Sequence, residues 1–166
     1  MAHCPAVRTS PLPAQQCIRP EMAMAAPADD PHDLARFVTA QDPVFEQVIA
    51  ELRAGAKSSH WMWFVFPQLR ALGRSATARH FGIADIEEAG AYWRHPVLGP
   101  RLLLCTETLL GVVGKTALQI LGSPDDLKFR SSMTLFARVA AEEPAFRRAI
   151  DRYFAGRMDE RTLELL

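Results

Sequence analysis

The chain carries no surplus of charge: 19 Lys+Arg stand against 19 Asp+Glu in 166 residues. That balance argues against a nucleic-acid binder that works by bulk electrostatics, because such proteins need a basic excess. No run of about 18 apolar residues is present, so no membrane partner is expected. Cysteine is scarce. Cys4, Cys17 and Cys105 form no C-x-x-C pair, and an odd number cannot close a disulfide set, which points to reduced thiols in a cytoplasm. Pro5, Pro11, Pro13 and Pro20 interrupt the first residues, so a continuous apolar signal segment is missing and secretion is not expected.

Residues 1–31 also lack glycine and every Phe, Tyr and Trp, while holding six of the twelve prolines. Such a segment buries too little apolar surface to offset its ordering entropy and reads as a disordered leader. Residues 32–166 then form a single domain. Met22 and Met24 sit just before it. Translation is therefore expected to start there, with the preceding residues an artefact of start-site assignment.

What is present is helical periodicity. Leu34, Phe37 and Val38 mark one face of a short helix, and Val44, Phe45, Val48, Ile49 and Leu52 a second, opened by Asp42-Pro43 and ended by Gly55. His60 to Leu69 is the most apolar stretch. Its aromatics favour a strand, but no partner strand of matching period exists, so a helix buried on most sides and ending near Pro67 is expected. Ser75 to Phe81 and Asp85 to His95 follow as helices, the latter with an N-cap at Asp85. Leu98, Leu102, Cys105, Leu109 and Val112 make a longer one; Thr116-Ala-Leu-Gln119 is a capping box; Ser123-Pro124 opens a helix to about Ala140. Pro144 to Ala155 and Asp159 to Leu166 complete the set. The fold class is all-α: a multihelical single domain of about eight or nine helices, without a sheet.

Three loop motifs fail on inspection. Gly114-Lys115-Thr116 imitates the end of a phosphate loop, yet Leu109 stands where its first glycine belongs and a helix precedes it; a helix end followed by an N-cap explains all three residues. Gly111-Val-Val-Gly114 lacks the flanking sheet of an RNA-clamping loop, and Gly73-Arg-Ser75 lacks the last glycine of a nucleophile elbow. His60, His80 and His95 are too scattered for a metal site, and no metal or cofactor is expected.

Two polar constellations remain. Lys57-Ser58-Ser59-His60 runs into Trp61 and Trp63, gathering a cation, two hydroxyls and an imidazole where free backbone N–H groups favour an anion. The plainer reading makes a serine the N-cap and leaves Lys57 in solvent. Asp125, Lys128 and Ser132 share one helix face, with Ser131 at its edge. Hydroxyls in so apolar a helix must face water, a neighbouring helix end or a ligand.

The segments Arg36 to Pro43, Lys57 to Gln68, His95 to Leu102 and Gly122 to Phe136 resemble, in order, the bacterial family catalogued as domain of unknown function 1810. The likeness spans essentially all of residues 32–166. It implies a small multihelical domain and supplies no catalytic residue. Some members carry the label calpastatin, but nothing in this chain has the repetitive, charge-rich character of such an inhibitor.

The expectation that follows is a cleft between helices that binds, and could act on, a small anionic or nucleotide-like ligand. Its candidate residues are Lys57, Ser59, His60, Trp61, Trp63, Asp125, Lys128, Ser131 and Ser132, with His60 or Asp125 as general acid or base if chemistry occurs. The alternative is a non-enzymatic module for protein interaction or self-association. Oligomeric state is not specified by these features. The start-site expectation is checked by the intact mass of the native protein: a mass that includes Met1 to Glu21 overturns it.

Overall fold

The computed structural model describes residues 30–166; positions 1–29, nearly all of the expected leader, lie outside the described residues. Ten α-helices follow: α1 (Ala35–Gln41), α2 (Phe45–Ala54), α3 (Met62–Val65), α4 (Ala76–His80), α5 (Ile86–Arg94), α6 (Leu98–Leu110), α7 (Ala117–Leu121), α8 (Asp125–Val139), α9 (Pro144–Phe154) and α10 (Glu160–Glu164), with a 3-10 turn at Arg70–Leu72. That is slightly more than eight or nine. Among the described residues there is no sheet, and none of the helices is long and apolar enough to cross a membrane.

The longest helix, α8, is the axis, packing against α3, α5, α7, α9 and α10. Phe129, Met133, Leu135 and Phe136 on it are wholly buried. Each such side chain contributes roughly 1.5–3 kcal/mol by leaving water. Two aromatic chains meet there. One runs Phe37, Tyr92, Phe136, Phe146 with ring centroids 5.0, 5.5 and 5.9 Å apart; the other joins Phe66 to Phe129 at 4.9 Å and Phe129 to Tyr153 at 6.2 Å. Edge-on and tilted contacts of this kind suit the ring quadrupoles.

Local signals account for most helix ends. Ser75, Asp85, Thr116 and Asp159 each accept a backbone N–H from three residues on, and Thr116 with Gln119 completes a reciprocal capping box. Gly55 closes α2 in the left-handed region at φ 61°. The Gly-Lys-Thr sequence is used as a helix joint: Lys115 Nζ donates to the Gly55 carbonyl at 2.9 Å, satisfying the end of α2, while Thr116 starts α7.

Three expectations are corrected. Asp42 ends α1 and pairs with Arg101 at 2.8 Å, and α2 starts at Phe45 instead of Pro43. Helix α8 begins at Asp125, with Pro124 as its N-cap residue in place of Ser123. The apolar stretch His60 to Leu69 holds only the single turn of α3. Buried side chains stop that turn: Gln41 Nε2 donates to the Phe64 carbonyl at 2.7 Å and the Tyr92 hydroxyl reaches it at 3.3 Å, replacing the helical donors that Pro67 and its neighbours cannot supply. Beyond Pro67 the chain extends and finds a one-residue partner. Ile83 N–H donates to Gln68 O at 2.9 Å and Arg70 N–H to Ile83 O at 2.7 Å, a parallel bridge between Leu69 and Ile83.

Gly99 allows α6 to turn tightly out of α5: a Cβ there would stand 2.0 Å from the Trp93 carbonyl oxygen. Gly99→Ala is expected to lower stability by about 2 kcal/mol or more, because rigid backbone must move. Guanidinium unfolding of the variant against wild type measures this, and coincident curves would contradict the packing described.

Candidate functional site

The loop after α2 is built around an internal anion. Glu51 falls on the buried face of α2, and its carboxylate accepts from Ser58 N–H at 2.9 Å, Ser59 N–H at 3.1 Å, Ser59 Oγ at 2.6 Å, Trp61 Nε1 at 2.8 Å and Gln47 Nε2 at 3.0 Å. Burial alone would push this carboxyl up. The hydrogen bonds from Ser59, Ser58 and Trp61 more than reverse that and hold it well below its ordinary value of 4.5. The donors expected to await an external anion are therefore occupied by one from the chain itself. Neither serine is a helix N-cap, since Trp61 holds that position without a side-chain cap.

The two polar constellations meet. Lys57 Nζ lies 2.7 Å from Asp125 Oδ2, and Lys128 Nζ lies 2.7 Å from Asp125 Oδ1. An aromatic ring flanks each ammonium: Lys57 stands 5.1 Å from the Trp61 centroid and Lys128 4.8 Å from that of Trp63. Lys57 is only 9% exposed and Asp125 16%. Burial pushes the Asp125 carboxyl up, but Lys128 and Lys57 together bring it below its ordinary value of 3.8. A carboxylate so held is a poor proton acceptor, which removes Asp125 as the general base. His60 is exposed and makes no side-chain hydrogen bond among the described residues.

The hydroxyls of α8 divide. Ser131 Oγ donates to Asp159 Oδ2 at 3.0 Å, and Thr134 Oγ1 accepts Asp159 N–H at 2.9 Å. Arg130 donates to the carbonyls of Arg157 at 2.9 Å and Met158 at 2.6 Å. These side chains fasten the start of α10, the neighbouring helix end among the three options. Ser132 is wholly buried, and its Oγ has no partner among the described residues.

The hollow lies on the far side of Lys128. A groove of ≈ 710 Å³ runs between the α3–α4 segment and α8 with α10. Trp63, Lys128 and Ser131 line it; Lys57, Ser59, His60, Trp61, Asp125 and Ser132 do not. Trp63, Leu72, Pro124 and Leu127 give apolar walls, and Gln68, Arg74, Arg130, Asp159 and Arg161 the polar rim. Arg74 and Arg161 make no side-chain hydrogen bond or ion pair among the described residues, and neither does the Gln68 amide. No pattern in the sequence marks these three, since they come from separate segments and share only a place in space. Glu51 did leave a trace: it stands three residues after Val48, inside the apolar stripe of its helix. Among the described residues no three His, Cys, Asp or Glu side chains gather as metal donors.

Comparison with known proteins places the chain. The model of the family described as "Protein of unknown function (DUF1810)" matches residues 31–166. A crystal structure of the conserved hypothetical protein Rv1873 from Mycobacterium tuberculosis is 53% identical, with a TM-score of 0.81, covering 82% of this chain and 98% of that one. No curated protein matches.

Glu51→Gln is expected to destabilise the fold by about 2–3 kcal/mol at neutral pH, because buried donors lose their charged acceptor. The folded carboxyl titrates below 4.5, so its stabilisation is complete above that pH and is lost as pH falls through the lower, folded value. Denaturant unfolding of both proteins from pH 7 down to about 3 should show the gap between them narrowing toward acid. A gap that stays constant would remove Glu51 from this role.

Proposed function

The chain belongs to the DUF1810 family, and we propose that it binds a small anionic, nucleotide-like ligand in the groove between the α3–α4 segment and α8 with α10. One observation carries this reading: the groove joins an aromatic wall, Trp63, to two arginines without partners among the described residues, Arg74 and Arg161. Lys128 sits over the Trp63 ring and Arg130 holds the adjoining loop, so the wall and rim are positioned before a ligand arrives. The one carboxylate among the described residues that lines the groove, Asp159, is taken up by Ser131 and by the N–H and hydroxyl of Thr162. The local balance favours an anion.

The candidates from the sequence are redistributed by this reading. Trp63, Lys128 and Ser131 belong to the groove, while Lys57, Trp61 and Asp125 form its support, fixing Lys128 and the loop that leads into α3. The interaction-module alternative needs one continuous apolar face. The large exposed apolar side chains are divided among α5 (Ile86), α6 (Leu104), the turn after it (Val113), α7 (Leu118), α8 (Leu127) and the C-terminal Leu163, Leu165 and Leu166, which gives that alternative less support.

A thermal-shift screen with nucleotides, phosphorylated metabolites and aromatic carboxylates tests the proposal. At least one compound should raise the wild-type melting temperature and quench tryptophan fluorescence. Trp63→Ala should weaken that compound about tenfold or more, the usual worth of one stacked ring, and Arg74→Ala or Arg161→Ala should weaken it as well. A screen without a hit, or hits indifferent to all three substitutions, would sink the reading.

A further inference from the structure

The groove does not end at α10. A second hollow of ≈ 340 Å³ is lined by Arg130, Arg157, Asp159, Glu160 and Arg161, and three of those residues, Arg130, Asp159 and Arg161, also line the first. The shared residues make the two hollows neighbours, a trough in two parts. Its ends differ in chemistry. At one stand Trp63, Leu72 and Leu127 with the Gln68 amide; at the other, Arg157, Arg161 and the carboxylate of Glu160, with no apolar side chain in the lining.

The cations along the trough are not equally available. Lys128 is already paired with Asp125, and the Arg130 guanidinium is held by two backbone carbonyls. Arg157 and Arg161 make no side-chain hydrogen bond or ion pair among the described residues. Arg161 lines both hollows, and Arg157 lines only the second, away from Trp63. The positive charge able to meet a ligand thus runs from Arg74, in the groove with Trp63, through Arg161 to Arg157.

Resting on the ligand-binding reading above, we infer that the trough takes a nucleoside diphosphate: the base lies on Trp63 with its polar edge toward Gln68, and the diphosphate spans Arg161 and Arg157. A flat ring suits the tryptophan face, and an amide offers one donor and one acceptor to a heteroaromatic edge. Guanidinium groups form paired, charge-assisted bonds to phosphate oxygens, and two of them are matched by two phosphates. A monophosphate would reach the nearer arginine and leave Arg157 unused.

The experiment is equilibrium titration, by calorimetry and tryptophan quenching at fixed salt, of the full chain with ADP, GDP and UDP and with the three corresponding monophosphates. The wild type should bind at least one diphosphate about tenfold or more tighter than its monophosphate. Arg157→Ala should bring that pair to within about threefold while the monophosphate affinity stays as it was, and its unfolding curve should match wild type because the side chain is exposed. Trp63→Ala should weaken both members of the pair alike. Equal binding of mono- and diphosphates, or a preference that survives Arg157→Ala, overturns the inference and leaves the groove reading intact. If no nucleotide binds but another anionic compound binds through Trp63, the inference fails alone; if nothing in either experiment binds, both fail.

Discussion

The Glu51 carboxylate is the constraint from which the rest of this architecture is hung. Its acceptors hold two consecutive backbone N–H groups, a hydroxyl and an indole, and so decide the path of the chain from Ser58 to Trp61. That path fixes where Trp61 enters the core and where Lys57 points. Lys57 then reaches Asp125 at the first turn of α8, and Asp125 in turn holds Lys128 beside Trp63. A buried carboxylate with a full set of donors is rigid in a way that an apolar contact is not, because every partner has a required direction. One wall of the groove is therefore positioned from the interior outward.

The opposite wall is positioned by α8 through a different device. Arg130, Ser131 and Thr134 are polar residues in the middle of α8, and each is satisfied by the segment from Arg157 to Asp159. The short helix α10 could not hold itself in place: five residues make barely more than one turn, and isolated helices of that length are unstable in water. Docked on α8 and capped by Asp159, it presents Arg161 at a defined place. The groove is the space between two loops that are each anchored to the same long helix.

Most of the helical frame was legible in the sequence because its signals are local. An N-cap at Asp85, Thr116 or Asp159 acts over three residues, and the apolar stripe of α6 acts over thirteen, so spacing alone is enough. The stretch from His60 to Leu69 was not, since the donors that end α3 come from Gln41 and Tyr92, residues remote in the chain. The same reason separates the parts of the candidate site. Trp63, Lys128 and Ser131 could be picked out as unusual in their surroundings, and the structure brings all three to the groove. Gln68, Arg74 and Arg161 are unremarkable where they stand in the chain; only the packing of the α3–α4 segment against α8 and α10 makes them neighbours.

Charge shows the same separation between composition and structure. Nineteen cations and nineteen anions cancel in the sequence, which argued against a nucleic-acid partner held by bulk electrostatics. Folding does not distribute that balance evenly. Glu51 and Glu88 are buried, Asp125 lies between two lysines, and Asp85 and Asp159 cap helices, so a substantial share of the negative charge is occupied inside the molecule or at helix ends. Glu88 in particular accepts from Arg36 and from Ala84 N–H, holding α1 against the start of α5. Arginines are less easily internalised, since five donors on a planar head are hard to satisfy away from water. Those at Arg74, Arg157 and Arg161 remain at the surface, gathered along one trough by the two anchored loops. A neutral chain thus presents a positive groove because its carboxylates are needed to build it.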